Sequence, residues 1–196
     1  MKAKTTESDF FKYSRPKLKL YSLICLLSVV LLSESVGARN TLKHSQIAQQ
    51  PATTQQDTTR AAAMKATQEG MALYKQGTAA SLRQAIEKWQ EALVLWQKVE
   101  DKKLEATLLD NIGGVYSGLG DKQRALKYYN SALPLWKEVG DKAGEATTLN
   151  NIGLVYSDLG DKQRALKYYN LALPLRKEVG DKAGEAATLN NIGGVY

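Results

Sequence analysis

The side chains that ordinarily carry covalent catalysis are nearly missing from this 196-residue sequence. It has one cysteine, Cys25, inside an apolar leader, and one histidine, His44, in a polar stretch with no second His, Cys or cluster of carboxylates beside it. With Cys25 in a leader expected to be removed and the lone His44 in a polar linker, neither a Cys-His pair nor a Ser-His-Asp relay is expected, and no His/Cys metal site is either. The Gly113-Gly114 pair sits at helical spacing and does not form a glycine-rich phosphate loop. Paired carboxylates recur only as cap and turn residues. No enzyme activity, cofactor or metal is expected. What remains in quantity is non-covalent chemistry: charges, tyrosines and asparagines that return at fixed intervals.

The formal net charge of +7 invites a nucleic-acid reading, but the excess is not gathered in one place. Residues 1–38 hold six basic and three acidic side chains, and the remainder carries 21 basic against 17 acidic, a net +4. Signs alternate along the chain, as in Asp161, Lys162, Arg164 and Lys167, then Lys177, Glu178, Asp181 and Lys182. That pattern is a solvated helix surface rather than a phosphate-binding stripe. The pairs Tyr128-Tyr129 and Tyr168-Tyr169 resemble a base-stacking platform only superficially, because Tyr129 and Tyr169 fall on the apolar packing positions. No nucleic-acid partner is expected.

The elements that must position these groups begin after an N-terminal leader. Arg15, Lys17 and Lys19 precede Leu20 to Leu32, a 13-residue run without charge. A bilayer span needs about 20 apolar residues, so the run fits the core of a signal peptide better than a transmembrane helix. Val36-Gly37-Ala38 supplies the small residues a signal peptidase requires, and cleavage after Ala38 is expected, with export to a periplasmic or extracellular location. The alternative is an uncleaved membrane anchor formed by residues 20–32. Lipidation at Cys25 fits less well, since Leu23-Ile24 precede it where a small residue is required. Residues 39–57, rich in Gln, Thr and Ser, read as a flexible polar linker.

From residue 58 to 196 the sequence repeats itself. Residues 111–150 and 151–190 differ at only five of 40 positions: Gly114/Leu154, Gly118/Asp158, Ser131/Leu171, Trp136/Arg176 and Thr147/Ala187. A diverged copy stands before them, with Ala85, Trp89 and Ala92 located 40 residues ahead of Ala125, Tyr129 and Ala132, and a partial copy follows. Repeats at about 60–100, 101–140 and 141–180, with a partial one at 181–196, are expected. Each period is punctuated twice. Asp141 is a plausible helix N-cap and Gly160 a left-handed C-terminal stop; Asp161 opens a second helix that closes at Gly180. Helices joined by such short Gly-Asp turns lie antiparallel. Leu149, Ile152, Gly153 and Tyr156 make one apolar stripe, and Ala165, Tyr169 and Ala172 make another. One hairpin cannot cover its own stripe, so neighbours must stack.

These positions (Leu149, Ile152-Gly153, Tyr156, Ala165, Tyr169, Ala172, and the same set 40 residues earlier) resemble the tetratricopeptide repeat. The longer period and the Leu-Asn-Asn-Ile-Gly and Gly-Asp-Lys-Ala-Gly-Glu segments are similar to repeats of kinesin light chains, of spindle-orientation adaptors, and of bacterial proteins in which such arrays often follow a signal peptide and precede a caspase-like CHAT domain. The resemblance implies an all-α fold, a right-handed superhelical solenoid of antiparallel helical hairpins. Two features depart from the common form. The period is 40 and not 34, and Pro134 and Pro174 fall inside the second helix, where a kink is expected.

The resemblance further implies that the first helix of each hairpin lines a concave face. The exposed positions there would be Asp110, Asn111, Gly114 and Ser117, then Asn150, Asn151, Leu154 and Ser157, with Asn190, Asn191 and Gly194 in the partial copy. A ladder of asparagine amides both donates to and accepts from an extended peptide backbone. Asn111, Asn150, Asn151, Leu154, Asn190 and Asn191 are therefore the candidate peptide-binding residues, and a protein or extended peptide is the expected partner. The competing reading is that the asparagines bond the neighbouring helix and hold the array together. A clamp for a C-terminal carboxylate is not expected, because Thr147, Asn150 and Leu154 occupy the positions that would hold its Lys and Arg. The stripe Leu189, Ile192 and Tyr196 has no following helix in the sequence, so either a longer parent protein, such as one with a CHAT domain, or self-association through this exposed C-terminal end is expected. A purely architectural, oligomerising array is the third reading.

Overall fold

The computed structural model describes residues 51–196. The expected signal peptide over 1–38, the apolar run with Cys25, and the linker as far as residue 50 with His44 lie outside the described residues. Among those described there are seven α-helices and no strand: α1 (Pro51–Gln76), α2 (Ala79–Val99), α3 (Lys102–Gly118), α4 (Lys122–Glu138), α5 (Lys142–Asp158), α6 (Lys162–Glu178) and α7 (Lys182–Val195). None is long and apolar enough to cross a membrane.

The helix starts follow from side-chain caps. Asp101, Asp121, Asp141, Asp161 and Asp181 each accept a hydrogen bond from the backbone N–H three residues on, which satisfies a donor that the helix itself leaves free. Thr78 does the same for α2 in a reciprocal capping box with Ser81. The stops are equally local. Gly120, Gly140, Gly160 and Gly180 take φ between 69° and 86°, and the N–H of the following Asp reaches back to a carbonyl five residues earlier, as from Asp121 to Tyr116. Glu100 stands in the same left-handed conformation without being glycine.

One boundary differs from the sequence reading. Residues 51–57, assigned above to the linker, are the first two turns of α1. Proline suits a helix start, where its missing N–H has no partner to lose, and glutamine is a good helix former, so a polar stretch without apolar periodicity still extends the helix. The helices α4 and α6 run through Pro134 and Pro174 to Glu138 and Glu178. The carbonyls that lose their bonding partner belong to Asn130 and Asn170, and these residues and both prolines are exposed, where water takes over the vacated acceptor.

Packing follows the small-residue code. A Cβ built on Gly113 would lie 2.8–3.2 Å from the Tyr129 ring, and one on Gly153 would lie 2.5–3.1 Å from the Tyr169 ring. The ring of each second helix thus rests on the bare backbone of its first helix. Ala125, Ala132, Ala165 and Ala172, which flank these tyrosines, are fully buried. The α1–α2 hairpin is a variant: Trp89 replaces the tyrosine and Gly70 receives it, while the indole N–H groups of Trp89 and Trp96 donate to the carbonyl and hydroxyl of Thr67 at 3.3 and 3.1 Å. Hairpin partners α1–α2, α3–α4 and α5–α6 pack most extensively, and each second helix also packs on the first helix of the next hairpin. First helices touch one another as well, α3 with α5 and α5 with α7. They therefore lie on the inner side of the array's curve.

Candidate binding groove

The inner side is built from the turns of α3, α5 and α7 that point away from the core. At one helical period, Thr147, Asn150, Asn151, Leu154 and Asp158 fall opposite the buried Leu149, Ile152 and Val155 of α5. Leu154 is 38% exposed, Asn190 is exposed, and Asn111, Asn150, Asn151 and Asn191 are half-buried.

The structure brings two of the six candidates into contact. The Asn191 amide donates to Asn150 Oδ1 at 3.0 Å, and the buried Thr188 hydroxyl donates to the same oxygen at 3.3 Å. This ties α7 to α5. The acceptor of Asn150 is thereby used, while its NH₂ donors and the carbonyl oxygen of Asn191 stay free for a ligand. Asn111, Asn151 and Asn190 make no side-chain hydrogen bond among the described residues. The ladder is thus divided: one pair joins neighbouring helices, as the competing reading held, and three amides are unengaged.

One repeat earlier the same joint is built differently. Asp110, aligned with Asn150, accepts from the Thr148 hydroxyl at 2.8–2.9 Å and from the Trp136 indole N–H at 2.6 Å. The sequence reading put Asp110 on the exposed face; the structure instead buries its carboxylate between α3, α4 and α5. Burial raises its pKa to about 6, against the lowering effect of both hydrogen bonds. Thr148 and Thr188, which make the joints, were not among the candidates. The only signal for them was a polar residue recurring 40 positions apart inside an apolar stripe.

Charges bordering the groove are compensated within the protein. Lys103 pairs with Asp141 at 2.8 Å, and Asp158 pairs with Lys122. The adjacent tyrosine pairs separate. Tyr129 and Tyr169 enter the core, where burial pushes both phenols upward, while Tyr128 and Tyr168 stack on Tyr116 and Tyr156 at 5.4 and 5.5 Å, with Arg124 and Arg164 over the latter two rings. A depression of about 420 Å³ between α2 and the α3–α4 hairpin, bordered by Arg83, Gln90, Tyr116 and Arg124, lies away from the asparagines. Among the described residues no group of three or more His, Cys, Asp or Glu is placed to hold a metal.

Stacked hairpins, each offering a glycine to its partner's aromatic ring and with first helices inward, define an all-α helical-repeat solenoid. The sequence model of the tetratricopeptide repeat matches residues 62–138, 124–178 and 144–196, and the chain belongs to the tetratricopeptide repeat family. No curated protein sequence matches it. Among solved structures it is similar to BtubC from P. vanneervenii (TM-score 0.55, 20% identity, 70% of this chain and 65% of that one). It is also similar to the TPR2AB domain of yeast Sti1 in complex with pHSP90 (TM-score 0.54, 25% identity, 68% and 45%). A third is the Rap conjugation gene regulator of plasmid pLS20 in complex with the Phr* peptide (TM-score 0.60, 14% identity, 93% and 49%). The chain thus spans 65% or less of the length of each of these proteins.

Proposed function

We propose that this chain is a non-catalytic scaffold that binds a protein or extended peptide partner in the groove lined by α3, α5 and α7. The observation that carries the reading is the Asn150–Asn191 pair: its internal bond fixes both amides in place and leaves donors on one and an acceptor on the other, the complement of a peptide backbone. Leu154, exposed beside them, adds an apolar contact. The two similar structures solved with pHSP90 and with the Phr* peptide support the class of partner. Compensated charge along the groove favours a segment held by amides and not by ion pairs.

The test is a photo-crosslinking side chain introduced at Leu154, and separately at Asn130 on the outer helix α4, in protein recovered from its native cell. A discrete adduct from position 154 and none from 130 is expected. Replacing Asn111 and Asn151 together by Ala should remove the adduct while leaving the thermal melt unchanged, since neither side chain bonds within the protein. An unfolded double variant makes these asparagines structural, and a persistent adduct sinks the groove.

We further propose that residues 1–38 direct export and are removed. N-terminal sequencing of the recovered protein should begin at Arg39. A chain that keeps residues 20–32 would instead be anchored by them.

A further inference from the structure

The groove floor carries a hydroxyl that the chain leaves unused. The Tyr129 ring lies on Gly113, and the next residue, the exposed Gly114, leaves the far end of that ring uncovered. A Cβ built on Gly114 would meet, outside its own helix backbone, a single atom within 4 Å, Tyr129 Oη at 3.6 Å. Tyr129 as a whole is only 3% exposed, and its hydroxyl makes no hydrogen bond among the described residues. Nor is that oxygen sealed in, since the side-chain polar atoms there that are both enclosed and unpaired are Glu105 Oε2 and Arg176 Nε. A buried phenol whose oxygen opens beside an exposed glycine is a fixed donor aimed into the groove.

The next repeat has the same position closed. Leu154 stands in α5 where α3 has Gly114, directly after the glycine that receives the Tyr169 ring, and the Ser157 hydroxyl beside Tyr169 offsets part of that phenol's upward shift. In α3 the corresponding Ser117 is engaged by Lys122, whose ammonium donates to the Ser117 hydroxyl oxygen at 3.3 Å and to its carbonyl at 3.1 Å. Two substitutions' worth of context thus separate a covered tyrosine hydroxyl from an available one.

We infer that Gly114 and Tyr129 form a polar subsite in which the Tyr129 hydroxyl donates to a neutral amide carbonyl of an extended peptide, a contact that rests on the peptide groove proposed above. Burial first, and the Asp110 carboxylate second, hold Tyr129 in its protonated, donating form. The same carboxylate disfavours an anionic group at this point, so the acceptor is uncharged. Gly114 supplies the access, because bare helix backbone lets a peptide approach the recessed oxygen that a larger residue would cover. Neighbouring repeats then offer different contacts, a hydrogen bond at Gly114 and an apolar surface at Leu154.

The probe is a phage-displayed library of random linear peptides selected on the full chain, and the peptides carried forward are those whose binding is lost when Asn111 and Asn151 are both Ala. Their affinities for the parent and three variants are measured by fluorescence anisotropy. Tyr129→Phe keeps the ring on Gly113 and removes only the oxygen, so a loss of about fivefold, the worth of one neutral hydrogen bond, is expected. Gly114→Leu copies the residue of α5 and should weaken binding at least as much. Tyr169→Phe should leave affinity unchanged, because Leu154 and Ser157 already occupy the surroundings of that hydroxyl. Tyr129→Phe and Gly114→Leu should melt no lower than the parent, since the hydroxyl has no internal partner and the leucine extends into open groove. Alanine scanning of a selected peptide locates the acceptor: an Asn or Gln whose replacement abolishes the Tyr129→Phe effect assigns it to a side chain, and no such position assigns it to the peptide backbone. A required Asp or Glu overturns the neutral acceptor. Peptides that bind Tyr129→Phe or Gly114→Leu as tightly as the parent overturn the subsite and leave the groove standing, and a lower melting temperature for Tyr129→Phe overturns it too, since the hydroxyl would then be bonded internally. A library without any peptide sensitive to Asn111 and Asn151 sinks the groove itself, and the subsite with it.

Discussion

Asp110 shows how one atom type changes the energetics of an otherwise repeated joint. Its pKa of about 6 when folded lies above that of an unfolded aspartate, near 4. Between those values the folded chain holds the proton and the unfolded chain has lost it, so its contribution to stability is full below about pH 4, falls as pH rises through the window, and is gone above about 6. Acidification from pH 7 to 5 should therefore raise the part of stability that Asp110 controls. Asp110→Asn, which installs the residue found at positions 150 and 190, should gain on the order of 1–2 kcal/mol at pH 7 and flatten the pH dependence; the full shift corresponds to about 3 kcal/mol, reduced by the amide's poorer match to two donors. Urea unfolding of parent and variant at pH 5 and 7 measures both. A variant less stable than the parent at pH 7 would mean that the carboxylate's hydrogen bonds outweigh its desolvation.

At the scale of the helix, the close approach of first and second helices depends on glycine where helix propensity argues against it. Glycine costs about 1 kcal/mol relative to alanine in a helix interior, so Gly153→Ala should stabilise α5 taken alone. In the folded array its methyl would lie 2.5 Å from the Tyr169 ring, and the ring, fully buried, has nowhere to go. A net loss of about 1–3 kcal/mol is expected, read as a lower melting temperature, with overpacking outweighing propensity. The same substitution at Gly193 should be neutral or stabilising, because no ring stands over it. Equal effects at the two positions would contradict the packing described for Tyr169. The prolines teach the converse lesson: Pro134 and Pro174 violate propensity, yet sit on the outer side where water satisfies the freed carbonyls.

Over the whole array, stability is set by neighbours, because each hairpin touches only the ones beside it. The pair α5 and α7 tests this directly, since 13 of their 15 shared positions are identical while their surroundings are not. Backbone amides of α7 should exchange with deuterium at least about tenfold faster than their counterparts in α5, equivalent to about 1.4 kcal/mol less protection. Equal exchange would show that local sequence, and not burial against a second helix, controls protection.

How much was legible in advance divides along the same line. The helix starts and stops were, because Asp caps and left-handed glycines act within five residues of themselves, and Asp141, Gly160, Asp161 and Gly180 stand where they were read. So were the core tyrosines and alanines, since a 40-residue period exposes any position that must remain small or aromatic. The start of α1 was not, because a polar, Gln-rich helix has no apolar period to announce it. Asp110 was placed on the surface for a related reason: its burial depends on Trp136 and Thr148, 26 and 38 residues away, which close over it only once the hairpins stack. By itself the sequence determined local conformation, the hairpin unit and the family it belongs to, since these follow from short-range hydrogen bonding and periodicity. Only the tertiary structure decided which of the repeated residues are covered. Leu149 at 4% exposure and Leu189 at 48% occupy the same local sequence, and they differ because burial is a property of what packs against a helix and not of the helix itself.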